Sequence, residues 1–257
     1  MNASFPINSA KLSLFFTVAA SILFLAPHSG YSIGLPTITF GVDDAESPQQ
    51  VSNALQVLFV LTILSVAPAI LLMTTCFTRI VIVLGFVRQA MGTQNMPPTQ
   101  VILGLSLFLS FFVMSPTFNK INSEALQPYM EEKIGQPEAL EKALQPMREF
   151  MFSQVREEEL ALLTEIAMDN EPQNKEDIPT MTLIPAFMLS ELKRAFQMGF
   201  MIYIPFLVID MIVASILMSM GMMMLPPVII SMPFKLLLFV LVDGWSLVVG
   251  SLIKSFG

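Results

Sequence analysis

Four long apolar stretches, each carrying a proline, limit what this chain can fold into. VLFVLTILSVAPAILLMTTCF (57–77) and VILGLSLFLSFFVMSPTF (101–118) form one pair. FMIYIPFLVIDMIVASILMSMGMMML (200–225) and VIISMPFKLLLFVLVDGWSLVVGSLI (228–253) form another. Each is close to the ~20 residues a membrane-spanning helix needs. Proline removes a backbone donor inside a helix, so kinked or broken helices are expected, and such breaks are tolerated where other protein surrounds them. With 54% hydrophobic and 13% charged residues and a mean hydropathy of +0.69, the chain belongs in a membrane or a membrane-linked assembly. The expected fold is all-α: a first apolar helical hairpin over 55–118 and a second over 199–257 with a methionine-rich loop.

The remaining segments are of other kinds. Residues 1–32 have the layout of a cleavable secretory signal peptide, with Lys11, the apolar run LSLFFTVAASILFLA (12–26), and small residues before a cut after Ser32. An uncleaved anchor helix is the alternative. Residues 33–54 then make a short N-terminal periplasmic segment. Between the hairpins, Asn119 to Met198 hold 15 acidic and 8 basic residues, a difference of seven that accounts for the net charge of −7. In it Leu140, Leu144, Met147, Met151, Val155, Leu162 and Ile166 recur at three- or four-residue intervals apart from a gap at Glu157 to Glu159. That spacing predicts an amphipathic helix with an irregularity at Pro146. DNEPQNKEDIP (169–179) lacks periodicity and reads as a loop. Arg79 and Arg88, between the first two stretches, and Lys235, after the turn between the last two, would place both turns in the cytoplasm and the acidic segment 119–198 in the periplasm.

Several chemistries are excluded. The only cysteine is Cys76 and the only histidine is His28, in the signal segment. His/Cys metal sites, histidine triads and intramolecular disulfides therefore need residues the mature chain lacks. No Walker-type phosphate loop is present. The residues give no catalytic set and no cofactor. Asp210 and Asp243 do sit inside apolar stretches, where a bare carboxylate costs at least ~2.5–3.5 kcal/mol, so both should have partners; Lys235, Glu191, Lys193 and Arg194 are nearest. Ion pairs that fix helix or subunit register are one reading, a proton or ion relay a second, and an aspartyl hydrolase, which needs two carboxylates near ~3 Å, a third. Met218, Met220, Met222, Met223 and Met224 converge on Gly221 before Pro226 and Pro227. In a lone hairpin they would be core filling. Around a common axis, soft unbranched thioethers would make a deformable plug.

Two ordered motifs carry a resemblance. PAFMLSELKRAFQMGF (185–200) and YIPFLVIDMIVASILMSMGMMMLPPVIISMPFKLLLFVLVDGW (203–245), together with TRIVIVLGFVRQAMGTQNMPP (78–98), resemble the FliP family of type III secretion export-gate proteins. The cleavable signal and long acidic segment resemble its flagellar branch; the virulence-type injectisome branch is the alternative. The resemblance implies a non-enzymatic, pore-forming subunit at the bacterial inner membrane, in the flagellar basal body, passing unfolded flagellar proteins. It implies a ring of about five copies with FliQ and FliR beside other export-apparatus membrane proteins, and helices partly raised out of the bilayer. It further implies that Met222, Met223 and Met224 act as a pore gasket. On the ion-pair reading of the residues, Asp210, Lys235, Asp243, Glu191 and Arg194 serve as buried charges for assembly. An independent ion-coupled carrier using Asp210 and Asp243 is the alternative from another class; its expected internal repeat has no counterpart in the two hairpins.

Overall fold

The computed structural model describes residues 48–93, 96–168, 172, 174–222 and 224–257, with side chains from Leu55 onward. The signal-peptide reading of 1–32, most of the 33–54 segment, and Met223 lie outside them. Helix α1 is Pro48–Met73, α2 Phe77–Ala90 and α3 Thr99–Ile121; a π-turn (Asn122–Leu126) carries α3 into the short α4, Gln127–Met130. Helix α5 is Gln136–Gln154, α6 Glu157–Ala167, α7 Thr180–Ser219, α8 Pro227–Leu241 and α9 Gly244–Lys254. No strand occurs among the described residues, and the fold is all-α.

Leu55–Met73, Thr99–Met130 and Thr180–Ser219 are long and apolar enough to cross a membrane, and α8 with α9, bent by 64°, makes a fourth if the pair counts as one span. Helices α1, α3, α5, α7 and α8 run through Pro68, Pro116, Pro146, Pro185, Pro205 and Pro233. The 64° bend falls instead at Asp243, whose φ of +49° is left-handed. A Cβ on the next residue, Gly244, would overlap the buried Phe239 ring, which packs edge-on against Trp245 with centroids 5.2 Å apart. Only glycine lets the backbone turn that close to an aromatic face.

The core is built where α2 lies against α7 and α3. On α2, Ile80, Val83, Leu84, Val87 and Ala90 recur at helical spacing on one buried stripe. Gly199 of α7 receives the Phe86 ring, where any Cβ would collide, and Phe86 also meets Phe196 edge-on. On α3 the buried face is Ile102, Ser106, Ser110, Met114 and Thr117. The Ser106 and Ser110 hydroxyls donate to the carbonyls one turn back, each at 2.7 Å, so neither is left unpaired. A smaller cluster of Met151, Leu183 and Phe187 joins α5 to α7. Outside these contacts much of the surface is apolar: α1 from Leu55 to Met73, Phe108, Phe111 and Phe112 of α3, and much of α7 and α8 are exposed.

The structure corrects two expectations. The chain between the first two apolar stretches is not a bare turn, because it contains α2, and Arg79 on that helix is fully buried rather than a loop charge. The amphipathic segment is two helices, α5 and α6, parted by extended backbone at Val155 and Arg156, where the Arg156 N–H donates to Ser190 Oγ at 3.0 Å. Met151 packs as its spacing predicts, but Leu140, Leu144, Leu162 and Ile166 stay exposed.

Candidate functional site: a methionine turn and two buried charge nodes

The methionine cluster forms the turn between α7 and α8. Helix α7 closes with the Gly221 N–H donating to Met218 O (3.0 Å) and the Met222 N–H to Leu217 O (3.0 Å), with Gly221 at φ +74°. That double bond pattern over a left-handed glycine is a Schellman cap. It ends the helix sharply, and Pro226 and Pro227 start the next one, proline being suited to a first helical turn. Met218, Met220 and Met222 are exposed, and Met224 is 98% exposed. These side chains therefore fill no gap among the described residues.

The first charge node lies between α7 and α8. Lys235, 2% exposed, donates to Asp210 Oδ2 at 2.6 Å, and the Ser231 hydroxyl donates to Asp210 Oδ1. Ser231 and Lys235 share one face of α8 because they are four residues apart. Gly92, at φ +75° in the loop after α2, closes over the node: a Cβ there would stand 3.8 Å from Lys235 Nζ.

The second node ties four parts of the chain together. Arg79 of α2 and Glu191 of α7, both with 0% side-chain exposure, form a bidentate pair: Arg79 Nε donates to Glu191 Oε2 at 2.9 Å and Nη2 to Oε1. Nη2 also donates to Gln154 Oε1 of α5 (3.1 Å), and Nη1 to both the carbonyl and the hydroxyl of Ser255, each at 2.9 Å. These are five bonds for the five N–H groups a guanidinium carries. The Phe256 ring lies 3.8 Å from the guanidinium carbon.

The structure thus brings together Asp210 with Lys235, and Glu191 with Arg79. Arg194 is half-buried and donates to Gln154 Oε1 at 3.1 Å, joining the second node through an amide. Asp243, expected among the buried charges, is exposed and serves as the left-handed corner between α8 and α9. Asp210 bonds to Lys235 and Ser231 while Asp243 stands exposed at the corner, and no hydrogen bond joins the two aspartates among the described residues. Sequence reasoning missed Arg79, Gln154, Ser231, Ser255 and Phe256. The signal for Arg79 was a lone basic residue within the apolar stripe Cys76, Ile80, Val83, Leu84.

The profile of the FliP family matches residues 60–252, three quarters of the chain. The chain belongs to the FliP family. The match takes in α2 through α8, and so both Asp210 and Lys235, Arg79 and Glu191, and the methionine turn; Ser255 and Phe256 lie beyond it. The chain is 59% identical over 212 residues to the flagellar biosynthetic protein FliP of Bacillus subtilis, covering 82% of this chain and 96% of that protein. It is 50% identical over 242 residues to the protein of that name from Pectobacterium carotovorum, covering 94% and 92%. To the one from Aquifex aeolicus it is 52% identical over 206 residues, covering 79% and 86%.

Proposed function

We propose that this FliP-family chain, a component of the flagellar export apparatus, is the pore-forming subunit of the export gate at the bacterial inner membrane, and that its methionine turn closes the pore. Several copies, about five, set their turns around one axis with FliQ and FliR, and unfolded flagellar proteins pass between them. The observation that carries this reading is the exposure of Met218, Met220, Met222 and Met224 at a sharply capped turn. Four thioethers facing away from their own core need an outside role. Methionine suits a closure that must yield, because an unbranched, polarizable side chain repacks around varied shapes. A ring of such side chains excludes ions by dewetting when closed, and it offers an extended polypeptide no tight site in which to stall.

The broad apolar surface of α1, α3 and α7 supports placement among lipids or neighbouring subunits. In this setting the Asp210–Lys235 and Arg79–Glu191 pairs hold the subunit shape that assembly requires, with Arg194 bracing the second pair.

The test replaces Met222, Met223 and Met224 together with alanine in the complete complex. Small-ion leak through the closed gate is expected to rise while the mass of the assembled complex is unchanged. An intact complex with unchanged conductance would overturn the gasket.

A further inference from the structure

We propose that Arg79 anchors the far end of the α8–α9 arm that follows the methionine turn, by gripping Ser255 and Phe256, so that the arm is fixed and the compliant part is the methionine turn before it. The inference rests on the function proposed above for that turn. The arm starts at Pro227, turns 64° at Asp243 and ends at Lys254. It is tied at three places. Near its start, Ser231 and Lys235 hold Asp210 of α7. At the corner, the Phe239 ring fills the space beside Gly244 and Trp245 packs edge-on against that ring. At the end, Arg79 holds the Ser255 carbonyl and hydroxyl and stacks under Phe256, while Gln154 Nε2 donates to the Phe256 carbonyl at 3.1 Å.

The third tie is the unusual one. Main-chain carbonyls just past a helix end normally face water, because the last turn leaves them without intrahelical partners. Here two of them are taken by side chains of α2 and α5, and one donor is a fully buried guanidinium whose other bonds are spent on Glu191 and Gln154. Arginine fits this task because its planar fork can bind a carboxylate along one edge, carbonyls along another and an aromatic ring on its face. Lysine, with one compact ammonium, cannot do all three. By contrast, among its described residues the turn at 218–224 bonds only to its own helix and within itself, the Ser219 hydroxyl donating to the Ile216 carbonyl at 2.7 Å, and its described methionines are exposed. Motion that admits a substrate is therefore confined to the tip.

The test uses the assembled complex and the variants Phe256→Ala, Phe256→Tyr and Arg79→Lys. Phe256→Ala removes the stacking contact and leaves the Arg79–Glu191 pair intact, which keeps the frame of α2, α5 and α7 folded. Loss of a desolvated cation–π contact is expected to speed amide hydrogen exchange through α8 and α9 about tenfold, with α2 and α5 unchanged. Ion leak through the closed gate rises with it. Phe256→Tyr, which keeps the ring, restores both, and Arg79→Lys behaves like Phe256→Ala or worse. Unchanged exchange, or faster exchange confined to 255–257, would overturn the anchor. Faster exchange through the arm without leak, in a complex where the triple-alanine turn does leak, would overturn its link to the gate. If the triple-alanine turn does not leak either, it is the gasket that fails, and exchange along α8 and α9 alone decides the anchor.

Discussion

Removing one partner of the Asp210–Lys235 pair should have unequal consequences depending on which one goes. In Asp210→Ala the Lys235 ammonium keeps its place at 2% exposure and loses its one side-chain hydrogen-bond partner among the described residues. An uncompensated buried charge of this kind costs about 3–5 kcal/mol. In Lys235→Met the stem's packing is kept and Asp210, 19% exposed, still accepts the Ser231 hydroxyl. Losing one charge-assisted bond at a partly wet carboxylate costs about 1–3 kcal/mol. With ~2–4 °C of melting temperature per kcal/mol for a chain of this size, the complex should melt ~6–20 °C lower for Asp210→Ala and ~2–12 °C lower for Lys235→Met. The double variant Asp210→Leu with Lys235→Met should recover most of the loss, since no charge is left buried and the Ser231 hydroxyl falls back on the Val228 carbonyl 3.1 Å away. The assay is the melting midpoint and yield of the detergent-extracted complex. A Lys235→Met loss as large as that of Asp210→Ala, or a double variant as damaged as the sum of the singles, would refute the reasoning. A normal complex with either single change would remove the pair from assembly altogether.

Two further outcomes separate backbone from charge and fix a pH window. Asp243→Asn and Asp243→Gly should be tolerated, because both residues accept the left-handed corner, whereas Asp243→Val should lower the melting midpoint; damage from Asp243→Asn matching that from Asp243→Val would return the carboxylate to a charge role. Glu158 and Glu159 of α6 are held below the usual carboxylate range, first by hydrogen bonds from Lys193 Nζ at 3.0 and 2.8 Å. A lowered folded-state pKa contributes stability that is complete above the unfolded value of 4.5 and is lost as pH falls through the folded one. Hydrogen exchange of 157–167, corrected for its intrinsic pH dependence, should therefore show α6 protected at about pH 6 and loosened at about pH 3; equal protection at both would contradict the contact.

What the sequence made legible follows from range. The apolar runs announce their helices because hydropathy and helical spacing are local properties, and Asp210 could be matched with Lys235 because the last hairpin offers few other charges. The methionine turn was legible for a similar reason: glycine followed by two prolines stops a helix whatever surrounds it. Arg79 and Glu191 stand 112 positions apart, and nothing local tells Arg79 from a cytoplasmic loop charge until α2 is seen packed on α7. Asp243 misled in the opposite direction. An acid in an apolar run reads as a buried charge, yet here it is exposed and holds a positive φ that aspartate accepts more readily than most residues. Leu140, Leu144, Leu162 and Ile166 kept their helical spacing but stay exposed among the described residues, since periodicity marks an apolar face and says nothing of what covers it.

The arrangement of polar and apolar groups explains why the two nodes matter more than their size suggests. Among lipid tails or neighbouring apolar helices, one greasy face is much like another, so hydrophobicity alone does not fix which helices meet or in what register. Specificity has to come from close approach and from polar pairs. Both occur on α7: Gly199 admits the Phe86 ring, Glu191 meets the Arg79 fork, and Asp210 meets Lys235 and Ser231, all on one 40-residue helix. Helix α7 thus serves as the reference against which α2 and the α8–α9 arm are aligned, and it ends in the methionine turn itself. All three contacts therefore sit on the same helix, which ends just before Gly221.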